Sequence, residues 1–235
     1  MLPFIFFILM YISLIPLSYS YYISNSLFIV IFKFMASLCF VLCSYFSHKK
    51  ANFNQKYFSL FFTAFIFCLI GDTFLAMGKD LLFIIGTIAF ALGHIFFIFS
   101  YTSIAPIKSK DIITFLCIYV PITLFITFYT KFNFHNLLPL ILTYSVLVSF
   151  MYSKAISFYR CRKENKPAVI LTIAGASLFV ISDLLLLFIY FINNPPAILK
   201  LFNIILYYSG QGLLSLSLLY PFRRKIDELI KIKEL

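Results

Sequence analysis

Eight long apolar runs dominate this chain, and they leave little room for any fold that is not embedded in lipid. A crossing needs roughly 20 mostly apolar residues to cover about 30 Å of hydrocarbon. Runs between polar breaks fall near 3–19, 27–47, 57–77, 81–104, 112–130, 137–158, 167–192 and 198–221. They explain why 63% of the residues are hydrophobic and only 11% charged, where a soluble domain averages about a quarter charged. A water-soluble core of this size cannot absorb that much Phe, Ile and Leu. The expected fold is all-α: a polytopic membrane helical bundle of about eight transmembrane helices, one domain over 1–221 with a basic cytoplasmic tail over 222–235. The first run also has one mark of a signal peptide, since "SYS" at 18–20 resembles a cleavage site. It lacks the positively charged n-region of such peptides, which favours a retained span.

The cations orient the bundle. Loops 2–3, 4–5 and 6–7 together with the tail hold fifteen of the nineteen Lys and Arg residues. The opposite side holds Lys79, Lys131 and Lys200, and Lys33 lies inside a span. Under the positive-inside rule both termini are cytoplasmic, as expected in a bacterial inner membrane. The net charge of +11 therefore reads as topology and contact with anionic lipid head groups, not as a nucleic-acid footprint. The tail "PFRRKIDELIKIKEL" has the pattern of a short amphipathic helix on the inner surface.

Two acids stand where acids are costly. "FCLIGDTFLAM" (67–77) and "LFVISDLLLLF" (178–188) each carry one aspartate near the middle of an apolar run, behind Gly71 and Ser182. Asp72 and Asp183 are 111 residues apart, and the same offset pairs Ile70 with Ile181 and Leu75 with Leu186. The other six acids read as loop or tail residues. An aspartate at the centre of a spanning helix costs about 2.5–3.5 kcal/mol on insertion scales, so two in matching frames point to function. Both spans start on the cytoplasmic side, and at 1.5 Å per residue both acids reach about 22–24 Å, able to face each other at one level. Outside these two spans similarity is slight, so a repeat of two parallel four-helix halves is only suggested.

Other polar groups gather near that depth. Lys33 enters its span from outside by six residues, where snorkelling to the outer surface is the ordinary explanation. His94 lies near the midplane; bonding to a neighbouring carbonyl would account for it equally well. Helical spacing sets Phe90, His94, Phe97 and Tyr101 on one stripe, Thr172, Gly175, Phe179 and Ser182/Asp183 on a second, and Asn203, Tyr207, Gly210/Gln211 and Leu214 on a third. Small residues on such stripes allow close helix approach; aromatics beside His, Asp and Gln have the character of a cavity wall. The five cysteines form no metal or redox spacing, so neither a disulfide nor a metal site is expected. There is no GxSxG, HExxH or phosphate loop.

"GDTFL", then "FIIGTIAFALGHIFFIFSY", then "LFVISDLLLLF" and "YYSGQGLL" together resemble the YhhN-like family of lysoplasmalogenases over nearly the whole chain. Lys33 matches a Lys-Pro step of that family, with Phe34 in place of the proline. The resemblance implies hydrolysis of the vinyl-ether bond of lysoplasmalogens, without cofactor, on a lysophospholipid substrate drawn from the bilayer. A vinyl ether hydrolyses by protonation of its β-carbon, giving an oxocarbenium ion that water captures. Such chemistry needs a general acid, and desolvation favours the protonated form of a carboxyl group. A second, ionised carboxylate would stabilise the cation and orient water. On this reading Asp72 and Asp183 are catalytic, and Lys33, His94, Ser182, Tyr207, Tyr208 and Gln211 bind or orient substrate and water. A proton-coupled transporter of small molecules or lipids also fits a buried acid pair, and a non-catalytic lipid-binding or assembly protein is the third reading.

Overall fold

The computed structural model describes residues 1–52, 54–78, 81–161 and 165–220, with the side chains of all of these but His135 and Cys161. Among them are eight α-helices: α1 (Leu2–Tyr22), α2 (Ser26–Ala51), α3 (Gln55–Met77), α4 (Leu81–Ile104), α5 (Ser109–Phe128), α6 (Leu138–Cys161), α7 (Lys166–Phe191) and α8 (Ala197–Ser217), with a 3-10 turn at His135–Leu137. All eight are long and apolar enough to cross a membrane. The protein is an integral membrane helical bundle. The expected amphipathic tail lies outside the described residues.

Hydrocarbon offers no partner to backbone N–H groups, so each crossing must be helical and its ends must be capped. Asn25 and Asn54 accept bonds from the backbone N–H of Phe28 and Tyr57, both at 3.1 Å, and so start α2 and α3. Pro3 and Pro167 sit in the first turns of α1 and α7, where a missing N–H costs nothing.

Two residues read as loop residues are buried. Lys154 lies within α6, fully buried, and Asp111 lies in the first turn of α5 at 1% exposure. The Lys154 ammonium donates to Asp111 Oδ2 at 2.9 Å and to the Ala105 carbonyl at 2.6 Å. Arg160 pairs with the other Asp111 oxygen, and Ser153 donates to the Asp111 carbonyl at 2.6 Å. Each residue is within a turn or two of a polar break, so hydropathy assigns it to a loop; only the pairing keeps it inside. The cluster ties the N-terminal end of α5 to α6.

Six helices close a ring in the order α2, α3, α4, α6, α7, α8, each approaching the next and the last returning to the first. Helix α1 packs outside on α2 and α8, whereas among the described residues the α5 backbone approaches only α6. Small residues make two of the closest seams. A Cβ on Gly175 would lie 2.8 Å from the Gly210 carbonyl oxygen, and one on Gly86 would lie 3.1 Å from the Gly71 carbonyl oxygen.

The ring repeats. The helix pairs α1–α2, α2–α3, α3–α4 and α2–α8 become α5–α6, α6–α7, α7–α8 and α4–α6 when each number is advanced by four, counting from α8 on to α1. The 111-residue offset carries α2 onto α6 and α3 onto α7, and an offset of 117 carries α4 onto α8. Contacts obey the same rule: Gly93 packs on Ala64 and Cys68 as Gly210 packs on Gly175 and Phe179. The bundle is therefore built of two parallel four-helix halves, although the sequences have diverged almost everywhere else.

Candidate active site

Helices α3 and α7 occupy opposite positions in the ring, and both aspartates face its interior. Asp72 is 2% exposed and Asp183 8% exposed. They line one small pocket together with Lys33, Leu75, Phe90, Leu186, Asn203, Ile204, Tyr207 and Tyr208. The level predicted from helical rise is met, and the sequence frames match because the two acids are equivalent positions of the repeat.

Their surroundings differ. Ser37 of α2 donates to Asp72 Oδ2 at 2.6 Å, and the Lys33 ammonium stands 3.7 Å from Oδ1. The Tyr208 hydroxyl lies 3.2 Å from Ser37 Oγ and donates to the Lys33 carbonyl at 3.2 Å. Tyr207 lines the same pocket, its buried hydroxyl without a hydrogen-bond partner among the described residues. Lys33 does not snorkel: it is 8% exposed and turned inward to its counter-ion. The Asp72 carboxylate gives the ammonium a counter-ion inside the bundle, and a buried charge needs one.

Asp183 meets no lysine or arginine among the described residues. Tyr144 of α6 donates to its Oδ2 at 3.0 Å, and His94 Nε2 of α4 is 3.3 Å from the same oxygen. His94 Nε2 and the Tyr144 hydroxyl are themselves 3.0 Å apart, closing a triangle. The His94 ring also lies 4.8 Å from that of Phe179. Sequence reading missed Tyr144. Its one signal was the offset itself, because residue 144 is residue 33 plus 111: Tyr144 stands to Asp183 as Lys33 stands to Asp72.

The remaining expected residues are divided. Gln211, fully buried, is the repeat counterpart of His94, and both its amide atoms lack a partner beyond the adjacent Cys68 thiol. Ser37, not singled out by sequence, turned out to be a direct neighbour of Asp72. Ser182 does not reach the acids: its hydroxyl donates to Phe179 of its own helix at 2.7 Å, and its carbonyl accepts from Asn203 at 2.7 Å.

A second, larger space adjoins the acid pocket and shares Leu75, Phe90, Asp183 and Leu186 with it. About 620 Å³ there is unfilled by protein atoms, part of it open to the outside. Its other walls are apolar faces of α4, α5, α6 and α7, including Phe83, Ile122, Ile126, Ile141, Val148 and Leu187. Toward the end of the bundle where α2 finishes and α3 begins the ring is filled: Phe40, Phe61, Phe65, Phe97, Tyr101, Phe158 and Phe179 are all fully buried. The site is thus a chamber on an aromatic floor, with two carboxylates in its wall and an apolar side room ending at one of them.

Eight crossings and a paired-carboxylate chamber define a polytopic membrane protein with an intramembrane polar centre. The chain belongs to the YhhN family, whose match covers residues 28–218, from α2 to the end of α8. No curated protein and no solved structure matches the chain.

Proposed function

We propose that this protein is a membrane hydrolase cleaving the vinyl-ether bond of lysoplasmalogens to a fatty aldehyde and glycerophosphocholine or glycerophosphoethanolamine. The observation that carries the reading is the apolar room ending at Asp183 beside a second buried carboxylate. An alkenyl chain lying in that room brings its ether carbons to both acids. Asp183 and His94, joined by Tyr144, hold the transferable proton. Asp183 gives it to the β-carbon, and the ether oxygen's electrons generate an oxocarbenium ion at the α-carbon. Asp72, held by Lys33 and Ser37, faces that cation as a carboxylate and accepts a proton as water adds. The hemiacetal then collapses: Asp183, now a carboxylate, takes the proton of its hydroxyl while Asp72 gives its new proton to the departing glycerol oxygen, so aldehyde and glycerol hydroxyl form, one water is consumed and both acids are restored. Gln211, a buried amide short of partners, is suited to hold that water.

The packed aromatic floor favours this reading over a carrier, since a transport path would need a route through it. The surplus of cations on one face supports a cytoplasmic location for both termini in a bacterial inner membrane. The deciding experiment is aldehyde release from choline and ethanolamine lysoplasmalogens by the purified protein. Turnover supports the hydrolase; uptake into proteoliposomes without turnover overturns it in favour of the carrier.

A further inference from the structure

The two halves match in every close helix pair but one, and the exception borders the apolar room. In the first half α1 approaches α8, seating Phe7 and Met10 against Gly212; a Cβ at that glycine would lie 2.6 Å from the Phe7 ring. The equivalent contact, α5 on α4, is absent among the described residues. The 117-residue offset puts Ile95 where Gly212 stands, and a branched side chain there cannot receive a neighbouring helix as a bare glycine does. Behind the open seam lies the apolar room, walled by Ile122 and Ile126 of α5 and by Phe83 and Thr87 of α4.

Helix α5 is built to stand apart. Only Asp111 and Ile126 along it are buried. Its N-terminal end is fixed by Asp111 to Lys154 and Arg160, and its C-terminal end by rings: Phe125 and Tyr129 each lie 5.9 Å from Phe188 of α7. Between these anchors its inward face is apolar, and its backbone approaches no helix but α6 among the described residues.

We infer that the seam between α4 and α5 is the entry through which the substrate's apolar chain passes sideways from the bilayer, and that Ile122 and Ile126 set the chain length accommodated. The occupant is a hydrocarbon chain because the lining is apolar apart from Thr87, Tyr144, Ser145, Asp183 and Tyr190, and because water cannot be the solvent on the far side of a membrane-facing seam. A chain entering there arrives with its polar end toward Asp72, Lys33 and Asn203. This inference rests on the hydrolase reading for the identity of the chain, but not for its site.

The test uses two readouts on the full-length protein in bilayer nanodiscs. A lysolipid carrying a photoreactive group at the chain terminus is crosslinked and the labelled peptides are mapped, with Ile122→Trp and Ile126→Trp beside the native protein. Phe7→Trp, on the closed seam, is the control. Label on α4, α5 or α6 in the native protein, reduced about tenfold by either cavity variant and unchanged by Phe7→Trp, is expected. Turnover of long-chain alkenyl lysolipid should fall by a similar factor while short-chain turnover stays, which also shows that the variants are folded. Label confined to α1, α2 or α8, or equal losses for short and long chains, would overturn the entry site. Correct labelling without turnover would leave the entry standing and sink the hydrolase reading instead.

Discussion

The two halves of this bundle share a plan and differ in what they close. Around Asp72 stand an ammonium and a serine hydroxyl from α2 and two tyrosines from α8; around Asp183 stand a tyrosine from α6, a histidine from α4 and an apolar room. Position by position, Lys33 is exchanged for Tyr144, Gln211 for His94 and Tyr207 for Phe90. A symmetric chamber with two identical acids would hold an asymmetric ligand equally well in two opposite orientations. Divergence of the surroundings, with the backbone plan kept, turns it into a site with a polar end and an apolar end, which is what an amphipathic substrate requires.

Substitutions can break this comparison. The largest effect is expected from the acids: Asp183→Asn and Asp72→Asn should each lower aldehyde release by about 10²–10⁴-fold, the usual worth of acid–base catalysis. Retained activity in either variant would end the paired-acid mechanism. Next comes the tether of α5. Lys154→Met leaves Asp111 buried with Arg160 alone, and loss of one partner of a buried pair costs about 3–5 kcal/mol. The repeat counterpart of Lys154 is the buried Cys43, and Cys43→Ala should cost about 1 kcal/mol, near the centre of the range for single substitutions. Thermal unfolding in detergent would separate the two; equal losses would mean that α5 needs no special anchor.

Smaller effects test the seams and the triangle at Asp183. A Cβ at Gly210 would meet two backbone atoms, the Gly175 oxygen at 2.8 Å and the Phe179 nitrogen at 3.0 Å, whereas at Gly93 the nearest are the Cys68 sulfur at 3.2 Å and the Ala64 oxygen at 3.3 Å. Gly210→Ala should therefore destabilise by about 1–3 kcal/mol and Gly93→Ala by less, again read by thermal unfolding. Smallest is Tyr144→Phe, which removes one hydrogen bond to Asp183 and should cost about 1 kcal/mol, a roughly fivefold fall in turnover. A loss as deep as that of Asp183→Asn would make Tyr144 a proton carrier in its own right.

Much of the polar centre was legible because polarity inside an apolar run is a local anomaly. Asp72, Asp183, His94 and Gln211 announce themselves that way, and all four are buried in the ring interior. Tyr144 did not, since tyrosine is common in this chain, 16 of 235 residues, and only a neighbour gives any one of them meaning. Lys33 sits close enough to a helix end that hydropathy cannot tell an inward ion pair from an outward-reaching side chain. Asp111 and Lys154 were read as loop residues for the same reason, and their partnership spans 43 positions of sequence.

The number of crossings, their approximate edges and the frame relating the two aspartates are properties of the sequence alone, because transfer into hydrocarbon is summed residue by residue along each helix. Which helices become neighbours is not such a sum. Helices α1 and α5 are both apolar and both follow the same plan, yet one is seated and the other stands off, because Phe7 and Met10 find a glycine on α8 while α5 faces an isoleucine on α4. Packing is a matter of shape between distant segments. The tertiary structure alone decided where the bundle would stay open.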